Sequence, residues 1–130
     1  MILVDTSILI AYLRSKDASL LARFRELDAA ICGITRAEIL CGTRDDRHRD
    51  RLLECLDVFH QLSIPETLWD EIGDPLALLR RNGITVPFTD VVIAMVAVAS
   101  GLELWTDDRQ FSLIQGVLPQ LKLFDASVAE

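Results

Sequence analysis

Asp5, Glu38, Asp90 and the pair Asp107-Asp108 are the residues of this sequence whose type and setting could do chemistry. Asp5 directly follows Met1-Ile2-Leu3-Val4, an uninterrupted apolar run that reads as a short strand buried on both faces of a parallel sheet. Glu38 lies early in the helix after a second apolar run, Ala30-Ile31-Cys32. Asp90 opens a helix that is apolar nearly all round (Val91 to Ala99), and Asp107-Asp108 follow a strand ending in Leu104-Trp105. Strand-to-helix junctions and helix starts of a parallel sheet crowd onto one edge, the edge at which ligands bind. Carboxylates gathered there repel one another and raise their own pKa values unless a cation sits among them. Oxygen-only ligands suit Mg²⁺ or Mn²⁺, with water filling the remaining positions. Beside a phosphodiester such a cluster can generate hydroxide and stabilise the leaving oxygen, with one metal or two. No histidine or cysteine lies beside these acids, which argues against zinc and against a Cys/His nucleophile, and no glycine-rich phosphate loop occurs. The chemistry that survives is metal-assisted hydrolysis.

Each acid taken alone has an ordinary structural reading. Thr6 and Ser7 suit the cap of the first helix, Thr35-x-x-Glu38 fits a capping box, and Asp90 in a first turn gains from the helix dipole. Only convergence separates a site from a set of caps. His48 and His60 lack spaced partners and read as surface and strand-end residues. The run from Arg44 to Arg51 mixes both signs and reads as a solvated face, a helix–helix corner rather than a nucleic-acid groove. Arg36, two residues before Glu38, is a candidate for touching a phosphate. Trp69 and Trp105 read as core or interface anchors. The apolar residues around Phe24 and Ile39-Leu40 exceed the needs of one core and suggest a groove for a partner's amphipathic helix.

Strands alternating with helices must position these acids. After the first strand, Ile8–Leu13 continues as a helix, and Asp17 can cap a second that carries Leu20, Leu21, Phe24 and Leu27. A strand at 30–33 precedes a helix over 34–42. A weak strand at 61–64 ends at Pro65, and an amphipathic segment from Glu66 to Asn82 meets Gly73 and Pro75 before a cap at Gly83. The buried helix ends at Gly101, a strand follows at 102–105, a short helix holds Phe111, Leu113 and Ile114, and a last strand covers 121–124. The expected fold is a three-layer α/β/α sandwich on a mainly parallel sheet, one domain over residues 1–130.

Composition agrees. A chain of 130 residues, 51 % of them apolar, can bury roughly two thirds of the surface it would expose unfolded. Cys32, Cys41 and Cys55 are odd in number and lack a Cys-x-x-Cys spacing, which points to core filling in a reducing cytoplasm. The longest uncharged apolar run, from Val91 to Leu102, is too short to span a bilayer. A net charge of −7 argues against broad electrostatic binding of nucleic acid, so an anionic substrate needs a local basic patch, a bound cation, or both.

Val4-Asp5-Thr6-Ser7, Arg36-Ala37-Glu38-Ile39-Leu40-Cys41-Gly42, Thr89-Asp90 with its apolar helix, and Thr106-x-Asp108-x-x-Phe111 together resemble the motifs of PIN-domain ribonucleases. The chain length and the Arg-Ala-Glu-Ile-Leu-x-Gly segment are most similar to VapC-type toxins of bacterial toxin–antitoxin pairs. The resemblance implies a Mg²⁺- or Mn²⁺-dependent endoribonuclease, usually dimeric and inhibited by a small antitoxin. It makes Asp5, Glu38, Asp90 and Asp108 the metal-binding acids, with Thr6 and Thr106 as hydroxyl helpers, and it matches no functional position in residues 44–87. The rival reading is a non-catalytic acidic metal-binding regulatory or interaction domain. Its phospho-receiver form needs a mid-chain acceptor Asp and a late Lys, where this chain has Ser63-Ile64-Pro65 and a Lys122 inside a strand. Ser7 in place of a second Asp disfavours an Asp-x-Asp phosphatase.

Overall fold

A computed structural model describes residues 1–127. In chain order it contains β1 (Ile2–Val4), α1 (Thr6–Ser15), α2 (Ala18–Glu26), β2 (Ala29–Cys32), α3 (Gly33–Leu40), α4 (Asp46–Leu56), β3 (His60–Leu62), α5 (Leu68–Arg81), α6 (Phe88–Ser100), β4 (Leu104–Trp105) and α7 (Gln110–Val117). The strands form one parallel sheet in the order β3-β2-β1-β4.

Alternation along the strands divides the interior into two layers. Ile2 and Val4 of β1, Ala29 and Ile31 of β2, and Trp105 of β4 pack with Ile8, Leu9, Phe24, Ile39, Leu52 and Leu56 from α1 to α4. Leu3, Cys32 and Leu104 point the other way, into a layer built by α5, α6 and α7. The result is the expected three-layer α/β/α sandwich. Every side chain of α6 from Val91 to Ala97 is buried, as a helix without a polar face requires.

Phe24 is only 2 % exposed. Its ring meets Tyr12, Phe59 and Trp105 edge-on at centroid distances of 5.6, 5.0 and 5.4 Å. The apolar surplus that suggested a groove at Phe24 is therefore the core of the second layer, and Leu40 is half-buried against it. Trp105 is a core anchor as expected, whereas Trp69 lies exposed. Of the cysteines, Cys32 is buried, Cys55 is half-buried, and Cys41 is exposed rather than a core filler.

Two elements differ in kind from the sequence reading, and the expected segment before Gly83 forms as one helix. The charged run is not a corner: residues from Asp46 onward are the first turns of α4, capped by Asp45, whose carboxylate accepts from the His48 N–H at 2.7 Å. The last strand shrinks to a single parallel bridge between Leu123 and Leu104. Helix α5 runs on through Gly73 and Pro75. It closes at Gly83 (φ 71°), where the Gly83 N–H bonds the Arg80 carbonyl and the Ile84 N–H bonds the Leu79 carbonyl, a Schellman motif.

Candidate active site

The strand order places the site. From β1 the chain moves outward through β2 to β3 and then returns to set β4 on the other side of β1, so the order reverses between β1 and β4. Parallel strands whose connections leave in opposite directions open a crevice at their carboxyl ends. Asp5 leaves β1 at that crevice and Thr106 leaves β4 beside it.

Asp5 is 3 % exposed and is itself the N-cap of α1, a role the sequence had offered to Thr6 or Ser7. One carboxylate oxygen accepts from the backbone N–H groups of Ser7 (3.1 Å) and Ile8 (3.3 Å) and from the Ser7 hydroxyl (2.6 Å). The other accepts from the Thr106 hydroxyl at 2.6 Å. The Asp107 N–H ties the two loops together by donating to Ser7 Oγ at 3.0 Å, and within the β4 loop the Asp108 N–H donates to Thr106 Oγ1 at 2.9 Å. Burial raises the Asp5 pKa, against the opposing pull of these hydrogen bonds. Ser7 is the part of this network that sequence reasoning passed over. Its signal was a hydroxyl two residues after a strand-end Asp, which also fits an ordinary cap.

Glu38 is not part of a capping box. Helix α3 starts at Gly33, so Thr35 already lies inside it, and Thr35 is fully buried. Glu38 instead reaches across to α1, where the Thr6 hydroxyl donates to its Oε1 at 2.9 Å. Because α3 packs on both α1 and α6, Glu38 stands between Thr6 and the head of α6.

Asp90 occupies that head. It sits in the first turn of α6, yet no side chain caps the helix, and Asp90 Oδ2 is buried with no hydrogen-bond partner. Its pKa is raised from 3.8 to about 6, first by burial and then by the negative charges of Asp108, Glu38 and Asp5. These three acids are therefore the ones close enough to Asp90 to be felt electrostatically. Asp108 is half-buried and accepts the Gln110 N–H at 2.9 Å, whereas Asp107 points to solvent. Asp5, Glu38 and Asp108 are thus near enough to Asp90 for their charges to act on it, and Asp107 is not among them.

Arg36 is elsewhere. Two residues along a helix turn the side chain about 200°, away from Glu38, and its guanidinium binds Asp57 at 3.0 Å and Gln61 at 3.2 Å. It is not the phosphate contact its spacing suggested. His60 is exposed at the start of β3, as expected, and His48 is half-buried with Nδ1 accepting the Arg44 N–H at 3.2 Å.

A hard divalent cation is bound by carboxylate oxygens and water. Among the described residues no group of three or more His, Cys, Asp or Glu side chains is placed to hold a metal ion. Asp5 uses both oxygens inside the protein, and Glu38 is held by Thr6. The unpartnered buried oxygen of Asp90, and the mutual repulsion around it, are nevertheless what a cation bound through few carboxylates and several waters would relieve. Asp90 thus offers one free carboxylate oxygen to such an ion.

The PIN domain family model matches residues 2–117 of this chain. Ribonuclease VapC1 of Methanocaldococcus jannaschii is 28 % identical over 110 residues, covering 84 % of this chain and 76 % of that protein. Among solved structures, VapBC2 from Rickettsia felis bound to a DNA fragment from their promoter superposes with a TM-score of 0.82 at 22 % identity, covering 95 % of this chain and 98 % of that one. DNA-bound VapBC from Salmonella typhimurium gives 0.79 at 25 % identity, covering 96 % and 98 %. VapBC-1 from nontypeable Haemophilus influenzae gives 0.77 at 22 %, with the same coverage.

Proposed function

The chain belongs to the PIN-domain family, and from that premise we propose that it is a Mg²⁺- or Mn²⁺-dependent endoribonuclease toxin of the VapC type. In this reading it hydrolyses RNA phosphodiester bonds and is neutralised by a small cognate antitoxin. The observation that carries the reading is Asp90: a carboxylate with an orphaned buried oxygen, set in the field of three other acids at the switch point of a parallel sheet. Caps would leave their oxygens satisfied. The likeness to Ribonuclease VapC1 supports RNA as the substrate, and the VapBC structures support an antitoxin as partner.

Asp5, Glu38, Asp90 and Asp108 would hold the metal. When bound, the ion supplies Lewis-acid polarisation of a phosphoryl oxygen and a water of lowered pKa. The chain's own part is positional. Thr6 fixes the rotamer of Glu38, and Thr106 and Ser7 hold Asp5 while their backbone partners lock the β4 loop against α1. Held in this way, the carboxylates need little reorganisation when charge develops between them. The proposal includes a homodimer, supported by the large apolar side chains of Trp69, Leu78, Phe88 and Leu113 that remain exposed, and a cytoplasmic setting, in keeping with three free thiols. Among the described residues no helix is long and apolar enough to cross a membrane.

The test is incubation of purified protein with total cellular RNA, with and without Mn²⁺ or Mg²⁺, followed by mapping of new ends. New ends should appear only with metal. Asp90→Asn, which keeps the shape of the side chain, should fold normally and lose about 100-fold or more in cleavage rate. Full activity in a correctly folded Asp90→Asn protein would refute the assignment.

A further inference from the structure

Of the mixed-charge run, residues 46–51 are wound into α4 and Arg44 lies just before its Asp45 cap. Within the helix His48 and Arg51 share a side and Asp46 and Asp50 fall opposite, while Arg44 is tied to His48 through its N–H bond to Nδ1. Together with the end of α1, the cationic side of α4 bounds a trough of about 410 Å³ lined by Leu13, Lys16, Arg44, His48, Arg51 and Glu54, among others. A second cleft of about 290 Å³ shares Leu13, His48 and Leu52 with the first and reaches Arg14 and Glu38. One continuous depression therefore leads from a candidate site carboxylate to the cations.

Those cations are uncommitted. Among the described residues Arg14, Lys16, Arg44 and Arg51 make no ion pair, in contrast to Arg36, which is clamped to Asp57. On a chain of net charge −7 a polyanion is repelled almost everywhere, so a local run of free cations beside the acids decides where it can approach.

We propose that the trough between the end of α1 and the side chains of Arg44, His48 and Arg51 carries the sugar–phosphate backbone of a single RNA strand to or from the carboxylates. The inference rests on the ribonuclease reading and gives it a substrate path. Arg51 stands in the second turn of α4 and Arg44 before its cap, so the two line the trough at separate points. Leu13 and Leu52 offer apolar walls to the ribose faces. The trough is too small for a duplex and suits one strand. An acidic peptide could satisfy the same cations, but it would have no reason to follow the depression into Glu38, where a phosphodiester must go.

The test compares a triple variant, Lys16→Gln/Arg44→Gln/Arg51→Gln, with a control that removes the same charge elsewhere, Arg80→Gln/Arg81→Gln/Lys122→Gln. Each is made in the wild-type chain and in an Asp90→Asn chain, and circular dichroism confirms folding. Binding of a labelled 20-nucleotide single-stranded RNA of mixed sequence to the Asp90→Asn proteins is followed across a salt series. With about 0.7 counterions released per phosphate contact on single strands, the trough variant should show a log Kd against log salt slope shallower by about 2. In the active background its KM for RNA should rise with kcat retained, and the control should match the parent in both readings. Equal slopes and KM values for trough variant and control would overturn the inference while leaving the nuclease reading intact. Absence of RNA cleavage and RNA binding in the parent proteins would overturn both. A trough variant that binds RNA normally but loses affinity for the antitoxin would assign the surface to a protein partner and overturn the inference.

Discussion

Asp90 is a carboxylate whose place in the fold costs it stability, and that has a measurable sign. Its folded pKa of about 6 lies above its unfolded value of 3.8. Well below pH 3.8 the group is protonated in both states and contributes nothing. As pH rises from about 4 to about 6 the unfolded chain ionises first, so the metal-free fold loses stability, and above that window the loss is complete. Asp17 and Asp125 are lowered by their serine hydrogen bonds, and what they contribute disappears only below the window, as pH falls toward and under 3.8. In chelator, Asp90→Asn should therefore melt higher than wild type at pH 7.5, with the gap narrowing at pH 5. A lower melting temperature for the variant at pH 7.5 would make Asp90 a helix cap after all. Such strain was legible in the sequence only as a pattern of acids at element junctions. Which neighbours they use was not, because hydroxyls bond either locally or across the fold: Thr6 could have capped α1, but its partner is Glu38, 32 residues away.

At the scale of elements, two glycines of α5 and its cap should respond to the same substitution with opposite signs. Gly73 lies inside the helix and an added Cβ would meet nothing within 4 Å. Gly73→Ala should stabilise by about 0.5–1 kcal/mol through lower entropy of the unfolded chain. Gly83 also has open space around it, but its φ of 71° is left-handed, so Gly83→Ala should destabilise by about 1–2 kcal/mol. Urea denaturation at constant m resolves both shifts; the same sign for the two would contradict this account of the cap. The helix boundary at Gly83 was readable because its cause is local. The start of α4 was obscured because its first turns carry no apolar stripe, and only the Asp45 cap marks them. The strand expected over 121–124 failed for the opposite reason: its apolar residues are real, and Leu121 is buried, but only Leu123 pairs with the sheet.

For the whole molecule, what sequence could not supply was the order β3-β2-β1-β4, since strands of two to four residues carry almost no register information. That order brings acids from both helical layers to one crevice: Asp5 and Glu38 come from the α1–α4 side, Asp90 and Asp108 from the α5–α7 side. A cation held among them would bridge the layers and stabilise the entire fold. A ligand that binds only the folded state at a hundredfold excess over its Kd contributes about 2.7 kcal/mol. Millimolar Mn²⁺ should then raise the melting temperature by several degrees beyond matched ionic strength. Asp108→Asn should reduce that gain, because Asp108 raises the Asp90 pKa, and Asp107→Asn should leave it near wild type, because Asp107 points to solvent. Equal gains in wild type and both variants would displace Asp108 from the site. No metal-specific gain in any of them would return the four acids to the rival reading of a fold whose carboxylates only cap and join its elements.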